Sequence, residues 1–238
     1  MDPARAKSEI YLGRNAGRDC MDSIMHSEKS VKIVSPYLSP RYIRKLLRLH
    51  EKGVKIRLIT SDRIEEKDDE LNHKDLIKQE CHLDETRAMV RTVLLVVSAL
   101  AAIASLMLIS YSLLTGLLIL LASLAVGIYS YIFFRTKTYS YHPVFDLKVF
   151  DSSADMEGRR GYLIHSKVYV IDDKIACLGS MNFTKNGFVN SYESSIKIEE
   201  KGAVKKISSE VDWLFENCEL VAMDIDEWGK RLYDEPRN

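Results

Sequence analysis

An uncharged stretch of 43 residues, Thr92 to Phe134, constrains the fold of this chain most strongly. It contains no Asp, Glu, Lys, Arg, His, Asn, Gln or Pro, although the 238-residue chain carries 34 basic and 34 acidic side chains elsewhere. At about 1.5 Å per residue, a single helix of this length would run roughly 65 Å, about twice the hydrocarbon thickness of a bilayer. Two antiparallel membrane helices therefore fit the length better than one.

Small and hydroxylated residues around Gly116 divide the stretch, which is typical of a tight turn between membrane helices. We predict spans near residues 89–109 and 113–134. Basic residues flank only the outer ends, which predicts a two-span membrane protein with both termini and the attached domain in the cytoplasm: Arg87, Arg91, Arg135 and Lys137. A helical hairpin buried in a soluble protein or a dimer interface is the alternative.

Outside the hairpin, the residue pattern predicts an α/β domain. Residues 30–35 and 54–60 read as strands, and the helix between them starts at Ser39-Pro40 and ends at Gly53, so the two strands should be parallel. Further strands are predicted at 144–150, 162–171, 174–179 and 193–199, and further helices at 15–28 and 202–217. The hairpin is thus an insertion between two strands of one domain.

Four segments follow from this pattern. Residues 1–60 and 135–238 are the two parts of the α/β domain, and residues 92–134 are the transmembrane hairpin. Residues 61–91 hold ten acidic and six basic side chains and are predicted to form a charged helical stalk that leads into the first span.

A cluster of chemically active side chains is predicted in the C-terminal part. His165 and Lys167 should project from one face of a strand, because side chains alternate along it. A turn at 172–174 folds the chain back, which brings three further residues alongside His165: Gly179, Ser180 and Asn182. An imidazole, an ammonium, a hydroxyl and an amide beside a glycine suit an anionic phosphate.

The spacing of these residues is HxK(x)4D(x)6GSxN, filled by His165, Lys167, Asp172, Gly179, Ser180 and Asn182. It resembles the HKD signature of the phospholipase D superfamily, and residues 32–38, 53–57 and 191–194 resemble other segments of that superfamily. The resemblance covers about 10–60 and 144–217 and omits the hairpin. The motif occurs once in this chain, and in this the chain resembles the Nuc-like and mitochondrial cardiolipin hydrolase-like subgroup. The resemblance to the superfamily implies a mixed sheet flanked by helices.

The resemblance implies a phosphodiesterase that needs no metal and no cofactor. His165 would attack phosphorus and form a phosphohistidine, and Glu193 would orient its imidazole. The phosphate would be held by Lys167, Ser180 and Asn182 beside Gly179. Asp172 belongs to the catalytic motif, although its expected role is to fix the turn.

A second histidine is required to protonate the leaving oxygen and later to activate water. His50-Glu51-Lys52 is the only other HxK, and it lacks the following Asp and GSxN. One motif per chain therefore implies a two-fold symmetric homodimer, in which His165 from both chains meets in one site.

The sequence leaves the substrate open. A phospholipid is favoured, because a hairpin inserted in the catalytic domain keeps the site near a lipid surface. A nucleic acid is the alternative, because residues 1–60 carry 13 basic and 6 acidic side chains, four of the bases on one helix: Arg41, Arg44, Lys45 and Arg48. A catalytically silent membrane scaffold with the same fold is a third hypothesis.

Overall fold

The computed structural model describes residues 8–62, 73–151, 164–217 and 222–236. Its strands are β1 (Ser8–Gly13), β2 (Ser30–Val34), β3 (Lys55–Ser61), β4 (Ile77–Leu83), β5 (Lys137–Pro143), β6 (Asp146–Phe150), β7 (Val168–Ile171), β8 (Ile175–Gly179) and β9 (Glu193–Ile198). Seven of them form one mixed sheet in the order β1-β9-β8-β7-β2-β3-β6, and β4 pairs with β5.

The described α-helices are α1 (Arg18–Met25), α2 (Pro40–Glu51), α3 (Glu85–Leu108), α4 (Leu113–Ile132), α5 (Lys201–Glu216) and α6 (Ile225–Leu232). Helix α5 packs on one face of the large sheet, where Val204 and Val211 join Val34 and Val170 in a buried cluster. Helices α1 and α2 cover the opposite face, and the buried side chains of each helix recur at helical spacing along one side of it. The predicted fold class, a mixed sheet flanked by helices, is confirmed.

The strand pairing explains how the domain tolerates a long insertion. Strands β2 and β3 are parallel, with Ile33 opposite Leu58, as the strand-helix-strand pattern predicts. Strand β6 continues the parallel set beside β3, with Leu147 opposite Leu58. The hairpin therefore lies within the connection between two neighbouring strands, and the domain closes again when β6 pairs.

The described chain forms two compact units, Met1–Lys78 with Tyr141–Tyr233, and Gln79–Ser140 with Asp234–Asn238. The first contains the large sheet and the second contains the hairpin. Helices α3 and α4 match the predicted spans within a few residues and are long and apolar enough to cross a membrane. Their contact seam consists of small residues, as in packed membrane helices: Ser98, Ser105, Gly116, Ser123 and Ser130.

The predicted charged helix over residues 61–91 is wrong in its middle. Residues 77–83 form strand β4, and helix α3 begins only at Glu85, where the Asp84 carboxylate caps the helix by accepting from the Arg87 N–H at 2.9 Å. Residues 63–72 of the predicted stalk lie outside the described residues. Strand β4 depends on pairing with β5, about 60 residues later, which no local pattern indicates.

The turn between β7 and β8 is fixed by Asp172. Asp172 and Asp173 both adopt left-handed backbone conformations, with φ of 52° and 51°, which aspartate tolerates better than most residues. The Asp172 carboxylate accepts hydrogen bonds from the backbone N–H groups of Glu28 (3.1 Å), Lys29 (2.7 Å) and Ser30 (2.9 Å). Burial opposes its ionisation, but these bonds prevail and hold the pKa of Asp172 below its ordinary value.

We expect Asp172→Asn to lower the free energy of unfolding at pH 7 by about 1–3 kcal/mol, because the bonds to a charged acceptor are weakened. Since the folded-state pKa is depressed, the carboxylate stabilises the fold fully above its unfolded pKa, about 3.9, and loses that effect as pH falls through the folded pKa. The difference in urea midpoint between the wild type and Asp172→Asn, measured in detergent, should therefore shrink towards pH 3. Asp146→Asn is the control, because the Asp146 carboxylate is exposed and pairs with Arg57 at 3.4 Å. Equal midpoints for Asp172→Asn and the wild type at pH 7 would contradict this role.

Candidate active site

The motif residues other than Asp172 lie at the end of the large sheet where β2 ends and β7 begins. Val168 opens β7 opposite Val34, the last residue of β2. His165 and Lys167 precede this pair and lie just outside the strand, so the predicted strand 162–171 is wrong at its start; residues 162–163 lie outside the described residues. Irregular backbone at a strand end leaves side chains free to face a ligand.

His165 and Lys167 are nevertheless adjacent. The Lys167 ammonium Nζ lies 3.2 Å from each ring nitrogen of His165 and donates a hydrogen bond to the His165 carbonyl at 2.7 Å. Lys167 is 7% exposed, whereas His165 is exposed to solvent. A buried cation thus lies beside an accessible imidazole, an arrangement that attracts a phosphate to a nucleophilic nitrogen.

Gly179 allows β8 and β9 to approach one another. A Cβ atom at this position would collide with the backbone carbonyl of Ser194 on β9. The sequence predicts that Gly179 lets a phosphate approach the backbone. The close approach of β8 and β9 is a further, structural reason for a glycine at this position.

Ser180 and Glu193 form a hydrogen-bonded pair across β8 and β9. The Ser180 hydroxyl donates to Glu193 Oε2, and its oxygen accepts from the Ser194 N–H at 3.0 Å. The expected bond between Glu193 and the His165 imidazole is not found among the described residues. The structure therefore brings Glu193 to the phosphate-binding serine.

Asn182 lies in the loop that follows β8. Its Oδ1, a hydrogen-bond acceptor, is buried and has no partner among the described residues, which costs about 1–3 kcal/mol. The backbone of Asn182 packs against Gly187, where any side chain would collide with it. Gly187 follows the motif asparagine by five positions, and the sequence did not predict a role for it in the site.

Tyr169 also supports this loop and was missed by the sequence analysis. Its hydroxyl is fully buried and donates to the Met181 carbonyl, between Ser180 and Asn182, at 2.6 Å. Burial raises the pKa of Tyr169, so its phenol keeps the proton that it donates. The only sequence signal was a tyrosine in an otherwise aliphatic strand.

Asp172 lies at the far end of β7. It follows Lys167 by five positions, with four residues between them, which is roughly 15 Å along an extended strand. Its carboxylate is occupied by the backbone of residues 28–30. The Asp172 carboxylate is thus held at the turn, away from the His165 ring.

An apolar cleft of about 690 Å³ adjoins His165. His165 and Ser166 line its rim, and the walls come from the sheet and helix α5, including Val34, Ile207 and Trp213. Trp213 is 51% exposed, which is high for a tryptophan. In the part of the chain that the structure describes, no group of three or more His, Cys, Asp or Glu side chains is arranged to hold a metal ion.

We expect Tyr169→Phe to reduce kcat at least tenfold and to lower the free energy of unfolding by about 1–3 kcal/mol, because the Met181 carbonyl loses its buried partner and the loop loosens. Tyr139→Phe is the matched control, since the Tyr139 hydroxyl makes a similar bond to the Pro236 carbonyl at an exposed position. Turnover of bis-p-nitrophenyl phosphate and thermal unfolding measure both effects. Wild-type kcat in Tyr169→Phe would show that the loop does not need this bond.

Comparisons with known proteins agree with this geometry. A family model described as the cardiolipin synthase, PLD-like domain matches residues 136–215, which contain the whole motif. A second model, for the C-terminal part of the protein export membrane protein SecD/SecF, matches residues 27–142, which contain the hairpin. A search of curated proteins found no significant match.

Among solved structures, NucT from Helicobacter pylori has a TM-score of 0.50 at 17% identity, covering 91% of this chain and 99% of that one. Nuc from Salmonella typhimurium, a phospholipase D family member, has a TM-score of 0.42 at 11% identity, covering 87% and 93%. Phosphatidylserine synthase from Haemophilus influenzae has a TM-score of 0.44 at 12% identity, covering 94% and 43%. The likeness to NucT supports the fold, and the family model falls on the motif-bearing residues. The motif-bearing residues 136–215 thus match a PLD-like domain of the phospholipase D superfamily, whose members are phosphodiesterases, and the chain shares its fold with NucT.

Proposed function

We propose that this protein is a membrane-anchored, dimeric phosphodiesterase that cleaves a phospholipid through a covalent phosphohistidine. The observation that carries the proposal is the position of His165, which lies beside the Lys167 ammonium and at the rim of an apolar cleft. The ammonium suits the phosphate and the cleft suits the apolar part of a lipid.

The first chemical step uses the two adjacent motif side chains. A ring nitrogen of His165 attacks phosphorus, and the P–O bond to one alcohol breaks as the P–N bond forms. The leaving oxygen takes its proton from a second histidine. Lys167 and Asn182 hold the non-bridging oxygens and stabilise the charge that develops on them, and Ser180, fixed by Glu193, assists.

In the second step, water replaces the histidine. The second histidine accepts a proton from water, the water oxygen attacks phosphorus, and the P–N bond breaks to release His165. The second oxygen of Glu193, Oε1, is available to accept from an imidazole N–H, which is the role that the superfamily resemblance implies. Hydrolysis thus consumes one water and needs no metal.

The second histidine comes from another chain in this proposal. Among the described residues, the ring of His26 lies against the Asp22 carbonyl and the ring of His82 lies against Ser140. A two-fold axis beside His165 would bring His165 of the partner subunit into the same site.

The hairpin supports the membrane location. Most large apolar side chains of α3 and α4 are exposed, and a patch of this size would aggregate in water. Arg91 donates to the carbonyls of Ser130 (3.2 Å) and Tyr131 (3.1 Å) and so links the first helix to the C-terminal end of the second. By the positive-inside rule, this end and the catalytic domain face the cytoplasm.

We expect the detergent-purified protein to hydrolyse phospholipid and bis-p-nitrophenyl phosphate with EDTA present, and His165→Asn to reduce both rates at least a thousandfold, because the nucleophile is lost. His26→Asn is the matched control and should keep wild-type rates. Labelled single-stranded DNA and RNA form the second arm of the assay. Activity that survives in His165→Asn would contradict the mechanism, and cleavage of nucleic acid alone would replace the lipid by the nuclease alternative.

The apolar cleft has its own variant in the same assay. We expect Trp213→Ala to lower kcat/KM for phospholipid by about tenfold, since about 1.4 kcal/mol of apolar contact is lost, with little change for bis-p-nitrophenyl phosphate, which has no acyl chain. Leu12→Ala, at an apolar position 67% exposed on β1, is the control. Equal losses on both substrates would show that Trp213 does not contact the lipid.

The shared site predicts a quantitative dominance effect. When wild-type and His165→Asn chains are co-expressed in equal amounts, only dimers with two wild-type chains keep both histidines, so activity should fall to about one quarter of that of wild type alone. Independent monomers would retain about one half. The ratio of the two chains is measured by mass spectrometry in the same purified sample, and a value near one half would contradict the shared site.

A further inference from the structure

A second cleft lies along the N-terminal half of helix α2. Its volume is about 690 Å³, and it is lined by five cations: Arg41, Arg44, Lys45, Arg48 and Lys185. None of the described residues that line it is acidic. We refer to these five residues and the space between them as the basic cleft.

The packing of α2 forces its four cations together. Ile43, Leu46 and Leu49 are buried against the sheet and fix the orientation of the helix. The four cations follow one another at spacings of three, one and three residues, which places them on one helical stripe away from the core. Burial and the charge of Arg41 lower the pKa of Lys45, and Asp22 offsets only part of this effect.

The cations of the basic cleft make no salt bridge within the described ranges, although Asp22 lies close enough to act on Lys45. Among the described residues, none of the five makes an ion pair, whereas Lys32 pairs with Asp212 at 2.8 Å and Arg57 pairs with Asp212 at 2.6 Å on the opposite face of the sheet. Unpaired like charges in one cleft repel each other, so an anion bound there is favoured by all of them.

The start of α2 supplies a second, independent observation. Ser39 is the N-cap residue and lines the basic cleft, it is 4% exposed, and its Oγ has no hydrogen-bond partner in the described chain. The first turn of α2 has no acidic side chain. A helix N-terminus with an unused hydroxyl and no carboxylate is a favourable place for a phosphate.

The basic cleft is close to the catalytic loop. The Ser39 N–H donates to the Phe183 carbonyl at 3.2 Å, directly after Asn182. From Asn182 to Lys185 the backbone spans at most about 11 Å. An anion in the basic cleft would therefore lie near the reacting phosphate without sharing its ligands.

We propose that the basic cleft is a second anion site, which binds the phosphate of an anionic phospholipid headgroup and so holds the catalytic domain on an anionic membrane. The choice of a lipid rests on the proposed function, since the apolar cleft at His165 and the apolar hairpin both favour lipid over nucleic acid. Each cation near an anionic surface strengthens binding by about fivefold.

The test measures binding without turnover. Full-length protein carrying His165→Asn and Lys167→Ala, in detergent, is titrated with short-chain phosphatidylglycerol, phosphatidylcholine, inorganic phosphate and a single-stranded oligonucleotide. We expect phosphatidylglycerol to bind more tightly than phosphatidylcholine, and Arg44→Gln with Arg48→Gln to weaken it by about tenfold or more. Arg44→Lys with Arg48→Lys should retain most of the binding, because the charge is kept.

Lys201→Gln with Lys205→Gln is the matched control, because these exposed lysines on α5 line neither cleft. An equal loss in this control, or equal binding of the two lipids, would overturn the proposal. If inorganic phosphate binds as tightly as the lipid, the bound anion is not specifically a lipid headgroup. If the oligonucleotide binds more tightly than the lipid, and this binding is lost in the Arg44→Gln, Arg48→Gln variant, the cleft is a nucleic-acid site. Circular dichroism confirms that each variant is folded. The variants used here have no catalytic activity. The binding result therefore tests the basic cleft even if the proposed hydrolysis of phospholipid proves wrong.

Discussion

The antiparallel pairing of β7 with β2 is the contact on which the catalytic domain depends. These strands come from the two parts of the chain that the hairpin separates, and their ladder, with Val34 opposite Val168, joins those parts along with the β1–β9 and β3–β6 pairs. Asp172 locks one end of the pair by accepting from three backbone N–H groups. At the other end, the Ser35 hydroxyl accepts from the Phe183 N–H at 2.9 Å and anchors the catalytic loop. An insertion as large as the hairpin is tolerated because both ends are fixed.

Much of this arrangement could be predicted from the sequence. The β2–α2–β3 unit carries a proline at the helix start and a glycine after its end, and the hairpin is apolar throughout, so local rules decided both. The motif spacing indicated that His165 and Lys167 act together, although they lie before β7 and strand alternation does not explain their contact. These features are encoded within short segments, which is why they were accessible.

The features that were missed depend on partners distant in sequence. Strand β1 has mostly exposed side chains and is defined by its pairing with β9, almost 190 residues later. Strand β4 similarly requires β5. In the site, Glu193 pairs with Ser180 and Tyr169 supports Met181 through bonds that no periodicity reveals. Gly187 is needed only because the backbone of Asn182 occupies the space of its side chain.

The net charge of the chain is zero, but its cations fall into two groups that differ in their ion pairs. On the α5 face, Lys32 and Arg57 share Asp212, and each pairs with a further carboxylate, Asp173 and Asp146 respectively, so carboxylates already occupy both cations. The four cations of α2, in contrast, make no ion pair in the part of the chain that the structure describes, and the described residues that line their cleft include no acidic side chain. An excess of basic residues in a sequence therefore does not identify a binding surface by itself. The pairing pattern does so, because a phosphate competes with a carboxylate for the same guanidinium and ammonium donors, and it can bind only where the fold has left them unpaired.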